Sequence, residues 1–480
     1  MKADGTAVTK QSFDATSLLT IFLVAVFVIP ANFVVGPLGA AGRPSMLVGV
    51  VAFGWWGVRS VSRNRPRDPG VHQVRIAAIA FLLAVMVSYV AAFVRSIDAV
   101  EGRSADRGII LLLGLLGPLL LAADYIPSRE RFETLMGRLT TGGAALAAVG
   151  ILQFFTRFDL SRVLRFPLLT EHSVFQGNQE RSDLARVSGT ASHPIEFGVV
   201  LGIIFPIALH YALHPKGNPR FAWLRVALIA IAVPLSVSRS GSLAIGITFL
   251  VLWVTWPSRL RFRSAVIAAV GAVAMRAVVP GLLGTIKSLF TNLLYDPSTQ
   301  GRLNDYGTVE RFFGQRPLIG RGFATFMSDR YIILDNQYLG LLIETGFIGT
   351  FAFVMLFVVS IGTARTARRG ADDETRSLGQ ALIASAIAVL VSAGTFDLLG
   401  FSMVAGIAFL LVGCSGGLWK LTATKAEDLA ELTELADLGA RMARAEKTTS
   451  QGTADTSLAP VRRSSVRPSL VRPPEESDQA

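Results

Sequence analysis

One cysteine and five histidines among 480 residues leave little for metal or redox chemistry. Cys414 lies in an apolar run, so a disulfide framework and a cysteine-based metal site are both excluded. No His, Asp and Glu stand at metal-ligand spacing, and the chain has neither a Gly-x-Ser-x-Gly elbow nor a Walker-type loop. With no visible site for ATP or a nucleotide-sugar, no metal and no cofactor are expected. Charge is scarce as well: 17% of residues are Asp, Glu, Lys or Arg, against 51% hydrophobic, too apolar a balance for a soluble chain of this length.

What the chain does have is a series of apolar runs, each long enough to cross ~30 Å of hydrocarbon. They predict an all-α polytopic membrane protein. The net charge of +12 is distributed in a way that argues against nucleic-acid binding. Arg59, Arg63, Arg65, Arg67 and Arg75 crowd one connection, Arg129, Arg131 and Arg138 the next on that side. Lys216, Arg220 and Arg225, then Arg259, Arg261 and Arg263, then Arg365, Arg368, Arg369 and Arg376 follow at alternate connections. Cationic loops favour the cytoplasmic side. On that rule about twelve spans are expected, at 18–37, 44–59, 76–94, 108–124, 141–156, 196–213, 222–237, 241–257, 265–284, 338–364, 378–396 and 398–418, with both termini cytoplasmic. Asp4 and Asp14 precede the first run and no clean cleavage site ends it, so it reads as a retained span and not a signal peptide.

The expected layout is a short cytoplasmic segment at 1–17, a membrane domain at 18–418 and a cytoplasmic tail at 419–480. Two connections on the outer side are long, 157–195 and 287–337, and loops of that length tend to carry function. Both contain aromatics and Gly/Pro turns, which favours order. The run from Ala222 to Trp256 barely suffices for two crossings, so the turn 236–242 between them must be tight. In the tail, 425–447 reads as an amphipathic helix with Leu429, Leu432, Leu435 and Leu438 along one side, acids early and bases late. The Ser/Pro/Arg-rich remainder reads as disordered.

Four polar groups fall on the outer side of this layout. They are Arg186 to His193-Pro194, the turn Ser238-Arg239-Ser240-Gly241, the stretch from Arg302 through Pro317-Leu318-Ile319-Gly320-Arg321-Gly322-Phe323, and Asp335-Asn336 running into Glu344-Thr345-Gly346. Guanidinium forks at headgroup depth suit phosphate, because they are bidentate, always charged and stronger away from bulk water. Most interfacial arginines simply snorkel to lipid phosphates. Arg239 stands apart, alone among small hydroxyl residues in an otherwise uncharged hairpin. Arg186 shares its loop with Arg181 and has Glu180 and Asp183 nearby as competing ion-pair partners, and Gly320-Arg321-Gly322 reads first as a turn. Arg276 lies inside an apolar run, where a charge wants a partner, for which Glu344 is one candidate. His193 precedes a proline and is either a backbone-satisfied residue at the start of a helix or a base.

These four elements, taken in order, resemble the signature of the O-antigen ligase/polymerase family. Arg186-Val187-Ser188-Gly189-Thr190 with His193-Pro194, Ser238-Arg239-Ser240-Gly241, Pro317-Leu318-Ile319-Gly320-Arg321-Gly322 and Asn336 to Gly349 carry the likeness, over about 186–349. The resemblance implies a C-type, metal-independent, inverting glycosyltransferase. Its donor would be a glycan on undecaprenyl pyrophosphate at the outer leaflet of the cytoplasmic membrane, and its acceptor a lipid core, a growing glycan or a protein. Membrane lipids and polysaccharide-export proteins would be its neighbours. By the same carry-over, Arg186 and Arg239, with Arg302 and Arg321, would hold the pyrophosphate.

In ligases of the family a His often precedes the Asn of the last block. Asp335 stands there in this chain, which favours a polymerase over a ligase and leaves the base among Asp335, Glu344 and His193, with Asn336 beside them. Asp335 is either that base or a helix cap. A secondary transporter or flippase is the competing reading. Transporters concentrate polar groups near the bilayer midplane, often in repeated halves, whereas here they gather on one side.

Overall fold

The computed structural model describes residues 13–62, 70–158, 164, 166–171, 180–181, 184–291, 297–369 and 371–454. These residues form helices α1 (Ala15–Val28), α2 (Pro44–Val61), α3 (Gln73–Val94), α4 (Ala99–Tyr125), α5 (Arg129–Thr156), α6 (Pro194–Leu213) and α7 (Pro219–Leu235). There follow α8 (Arg239–Thr255), α9 (Ser258–Val278), α10 (Leu282–Thr291), α11 (Pro297–Gln315), α12 (Gln337–Ala367), α13 (Asp373–Ala393) and α14 (Ser402–Ala454). Strand structure among the described residues is limited to two tiny antiparallel pairs: β1 (Phe33–Val34) with β2 (Thr170–Glu171), and β3 (Glu180–Arg181) with β4 (Leu184–Ala185).

Seven helices are long and apolar enough to cross a membrane, namely α3, α4, α5, α6, α12, α13 and α14, while α1 and α8 are shorter apolar helices. The protein is thus an all-α polytopic membrane protein, and the count of twelve spans stays an expectation. The first predicted span is corrected. The apolar run to residue 37 was expected to be one helix, but α1 stops at Val28, and Gly36–Gly42 forms a 3-10 segment after β1. Pro30 and Pro37 lack backbone donors and Gly36 and Gly39 lack helix propensity, so the run cannot stay helical.

Packing makes α6 and the first part of α14 the central elements. Almost every residue of α6 is buried, in keeping with a sequence that is hydrophobic all round. Around them Phe81 of α3, Phe353 and Phe357 of α12 and Phe409 of α14 form a fully buried aromatic set, with ring centroids 5.3–6.4 Å apart. By contrast, α9, which carries Arg276, has no buried side chain.

Polar groups gather at both ends of the bundle. At one end cations meet acids: Arg131 binds Asp14, Arg75 and Trp56 bind Asp124, and Lys216 and Arg129 bridge Glu133 and Glu374. The other end gathers the starts of α6, α8, α12 and α14. A separate unit begins at Lys425, and its described residues are helical to Ala454 with Leu429, Leu432, Leu435 and Leu438 exposed. The chain beyond 447 was expected to be disordered; helix runs on past that point to Ala454, and the remainder lies outside the described residues.

Candidate functional site

The first part of the site is the corner where α6 and α8 begin. Gln153, in the last turn of α5, accepts the backbone N–H groups of Ser188 at 3.1 Å and Gly189 at 2.9 Å. Thr190 donates its hydroxyl to the Phe27 carbonyl at 2.9 Å, and its own carbonyl receives Ala31 N–H at 2.9 Å. The segment from Arg186 to His193 is therefore strapped to the ends of α1 and α5. His193 then caps α6, its Nδ1 accepting Ile195 N–H at 3.1 Å, which leaves Nε2 to carry the proton of the neutral ring. Burial, with the Arg186 charge adding to it, pushes the His193 pKa down to about 4.

Across from this segment, α7 turns into α8 within Ser236-Val237-Ser238, a turn as tight as the sequence requires. Val237 holds φ 45°, and the Ser238 hydroxyl caps α8 by accepting Gly241 N–H at 3.3 Å. The two corners meet directly. Arg186 Nε reaches the Ser236 carbonyl at 3.4 Å, and Arg239 is the first residue of α8. Gly198 and Gly241 bring α6 and α8 backbone to backbone: a Cβ added at Gly241 would lie 2.8 Å from the Gly198 Cα. The sequence places glycine at both positions because no side chain fits there.

The second part is the turn 394–401 and the start of α12. Thr395 donates its hydroxyl to Ser240 at 2.8 Å, tying the end of α13 to the start of α8. Gln337 N–H donates to the Phe396 carbonyl at 3.2 Å, and its side-chain oxygen accepts Leu399 N–H at 2.7 Å. Asn336, not Asp335, is the cap of α12, accepting Tyr338 N–H at 3.0 Å and Leu339 N–H at 3.4 Å. Glu196, in the first turn of α6 and fully buried, does the corresponding work for α14: one oxygen accepts Met403 N–H at 2.7 Å and Val404 N–H at 3.4 Å. Its other oxygen accepts the Ser192 N–H and hydroxyl at 2.8 and 2.7 Å.

Four helix N-termini, those of α6, α8, α12 and α14, are thus joined through one set of contacts. Each adds partial positive charge to the region that holds Arg186 and Arg239. Such an end is a ready site for an anion. Two carboxylates sit on its rim. Asp397 opens to solvent on one side but is crowded by protein atoms. That desolvation, with the nearby Asp335 charge, pushes its pKa up to about 6.

The third part is a break inside α12. Gly346 holds φ 63°, ψ −164°, so the ladder is interrupted and two carbonyls and two N–H groups lose their helical partners. Residues 317–322 supply all four replacements. Arg321 and Gly322 N–H donate to the carbonyls of Ile343 and Glu344 at 3.0 and 2.9 Å. Phe347 and Ile348 N–H donate to Pro317 and Leu318 at 2.8 and 3.1 Å. Gly320, at φ 69°, passes so close that an added Cβ would lie 2.2 Å from the Glu344 carbonyl oxygen. The Glu344 carboxylate, half-buried just before the break, accepts Phe326 N–H at 3.1 Å.

The structure therefore brings Arg186, Arg239, His193, Asp335 and Asn336 to one cluster of helix ends, and puts Glu344 further down the same short segment of α12. Arg302 lies in α11, with its side chain outside the described residues. The Arg321 side chain is engaged within the protein. Its Nη2 is held by Glu101 at 2.9 Å and Tyr331 at 2.7 Å, and the rings of Tyr331, Phe312 and Phe326 surround its guanidinium. Asp397 and Glu196 were not singled out from the sequence. The signal for Asp397 was there: it is the one residue left between predicted spans 378–396 and 398–418, a carboxylate in a very short connection. Among the described residues no three His, Cys, Asp or Glu side chains are grouped to hold a metal ion.

Residues 224–354 match the model of the family described as O-antigen ligase. The matched stretch takes in Arg239, Arg302, Arg321, Asp335, Asn336 and Glu344, and begins after Arg186 and His193. No curated protein matches the chain.

Proposed function

With membership of the O-antigen ligase/polymerase family supported by residues 224–354, we propose that this membrane protein transfers glycan units from undecaprenyl pyrophosphate to a glycan acceptor, as a polymerase. The reaction takes place at the outer face of the cytoplasmic membrane, with twelve spans and both termini inside. The observation that carries this reading is the convergence of four helix N-termini on the region that holds Arg186 and Arg239.

An acceptor hydroxyl attacks the anomeric carbon from the face opposite the leaving group. The bond from that carbon to the pyrophosphate oxygen breaks, and the configuration inverts. The hydroxyl proton passes to a carboxylate, and the electron pair of the broken bond leaves on the pyrophosphate. Arg186, Arg239 and the amide dipoles of α6 and α8 stabilise the charge that develops there, and fixed donors of this kind need no reorganisation as it forms. No metal takes part in the step. Asp335 is the base, near the charge of Asp397 and just outside the Asn336 cap. Glu344, Asp397 and His193 are the other groups within this region able to take a proton, and burial depresses the basicity of His193 below that of an ordinary imidazole. Polymerase is preferred over ligase because Asp335 occupies the place where ligases of the family often carry His.

The test is Arg239→Lys in purified protein supplied with lipid-linked repeat units. Charge is kept but the bidentate fork is lost, so transfer should fall at least about tenfold with membrane insertion intact. Wild-type turnover in this variant removes Arg239 from the pyrophosphate site. In the same assay the wild type should lengthen lipid-linked chains. Attachment of preformed polymer to a lipid core without lengthening would mark a ligase.

A further inference from the structure

Residues 317–322 fill the break in α12, and the charge that ties them down belongs to a different hairpin. Glu101, in the first turn of α4, is 5% exposed. Its oxygens receive Arg321 Nη2 at 2.9 Å, the Tyr331 hydroxyl at 2.8 Å and Arg95 Nη2 at 2.5 Å. Arg95 Nε also donates to the Arg321 carbonyl at 2.8 Å. The Arg321 guanidinium carbon lies 4.5, 5.1 and 5.9 Å from the ring centres of Tyr331, Phe312 and Phe326. Meanwhile Arg321 N–H closes the Ile343 carbonyl in the interrupted ladder. Arg321 thus connects the α3–α4 hairpin to the break, by its side chain on one side and its backbone on the other, beside the Ser88 hydroxyl of α3, which donates to the Glu344 carbonyl at 2.6 Å.

We infer that Glu101 and Arg321 are positioning residues for glycan transfer, which fix the orientation of the short helical segment 337–345. That segment starts at the Asn336 cap beside Asp335 and ends at Glu344 and the break. Its covalent link to the rest of α12 runs through Gly346, whose backbone is non-helical. Its start is tied to the turn 394–401 through Gln337; at the break its direction depends on the four bonds to 317–322 and on the Ser88 hydroxyl at the Glu344 carbonyl, and two of the four come from Arg321 and its neighbour Gly322. Arg316 Nη1 to the Ala91 carbonyl at 3.1 Å and the Ser104 hydroxyl to the Ala324 carbonyl at 2.7 Å hold the same loop at its edges. Glu101 is the charged centre of that attachment. A shift of about 1 Å in the reacting groups costs on the order of a hundredfold in rate, so loss of the clamp reaches the chemistry without touching substrate. The inference rests on the proposed reading that the start of α12 faces the reacting groups.

The experiment combines kinetics with a distance. Glu101→Gln and Arg321→Lys are assayed with lipid-linked repeat units over a range of donor concentrations. Both should lower kcat about tenfold to a hundredfold, with the donor KM within about twofold of wild type, as expected when uniform substrate binding is kept. An unpaired buried charge can itself unfold a protein, so the neutral pair Glu101→Gln with Arg321→Met is measured too, and it should melt near wild type yet stay slow. Wild-type kcat in the neutral pair reduces the cluster to packing and overturns the inference. So does a raised donor KM with unchanged kcat in Arg321→Lys, which returns Arg321 to the pyrophosphate.

The distance is read between spin labels on Gly340→Cys and Gly246→Cys, both positions with open space around them, in a Cys414→Ala background. Its distribution should shift or broaden in the neutral pair, and an unchanged distribution overturns the inference whatever the activity. A wild type that transfers no glycan defeats the functional reading alone, because the distance still decides the positioning.

Discussion

The starts of α8 and α12 both present a capped helix N-terminus to the same region, yet they are held there in different ways. The start of α8 is fixed by contact between regular elements: a three-residue turn, a serine cap, and the close approach of Gly241 to Gly198. The start of α12 is fixed by an irregularity, a break whose lost bonds are restored by a loop and whose loop is clamped by a charge on α4. The first arrangement depends on the absence of side chains at one crossing. The second depends on a positive φ and on an ion pair, so it has more ways to fail. It also leaves the segment 337–345 with an orientation that a straight helix would not allow.

The largest effect should come from Gly346→Ala. A side chain there meets both a left-handed backbone, at about 1–3 kcal/mol, and the Leu318 backbone 2.4 Å from the new Cβ, at a further ~1–3 kcal/mol. Gly241→Ala meets only the second kind of cost, with its Cβ 2.8 Å from the Gly198 Cα, and should lose about 1–3 kcal/mol. Thermal unfolding of the detergent-purified variants ranks them. Equal losses would mean that the break is no more demanding than the crossing, and the contrast between the two helix starts would collapse.

This contrast also explains what could be read from the chain. Ser238-Arg239-Ser240-Gly241 is local, so its turn follows from span lengths, and the turn is found as tight as expected. Membrane-crossing character follows from hydropathy in the same way. The break in α12 did not follow, because Glu344-Thr345-Gly346 sits in an unbroken apolar pattern that predicts a straight helix. The surroundings of Arg321 did not follow for a related reason: its carboxylate partner lies 220 residues upstream, beyond any local pattern. Asp397 was missed because a one-residue gap between spans looks like a boundary and not like a site.

Asp335 and Asn336 sharpen the comparison at a smaller scale, since capping and chemistry fall on adjacent residues. Asn336→Ala should cost about 1 kcal/mol of stability, the usual worth of a lost cap, and should affect transfer only through α12. Asp335→Asn should leave the melting temperature near wild type and lower transfer at least about tenfold, the low side of what a general base contributes. If purified Asp335→Asn lengthens lipid-linked chains at the wild-type rate, the base is Glu344 or Asp397, and the start of α12 serves only as a dipole.

The smallest effect concerns the start of α6, the rigid partner in the comparison. His193 is buried and neutral, with its pKa lowered to about 4 from an ordinary 6.5. A group whose folded pKa is depressed binds protons more readily when unfolded, so stability is full above about pH 6.5 and declines as pH falls toward 4. By pH 5.5 the loss from this residue should be about 1 kcal/mol. His193→Asn keeps a capping oxygen without a titratable ring. Its melting temperature should therefore fall less than that of wild type between pH 7 and 5.5. The carboxylates on the rim act in both proteins and cancel in the difference. If the two melting curves shift in parallel over that interval, His193 is not held neutral by burial. The corner of α6 and α8 would then be looser than its backbone packing implies.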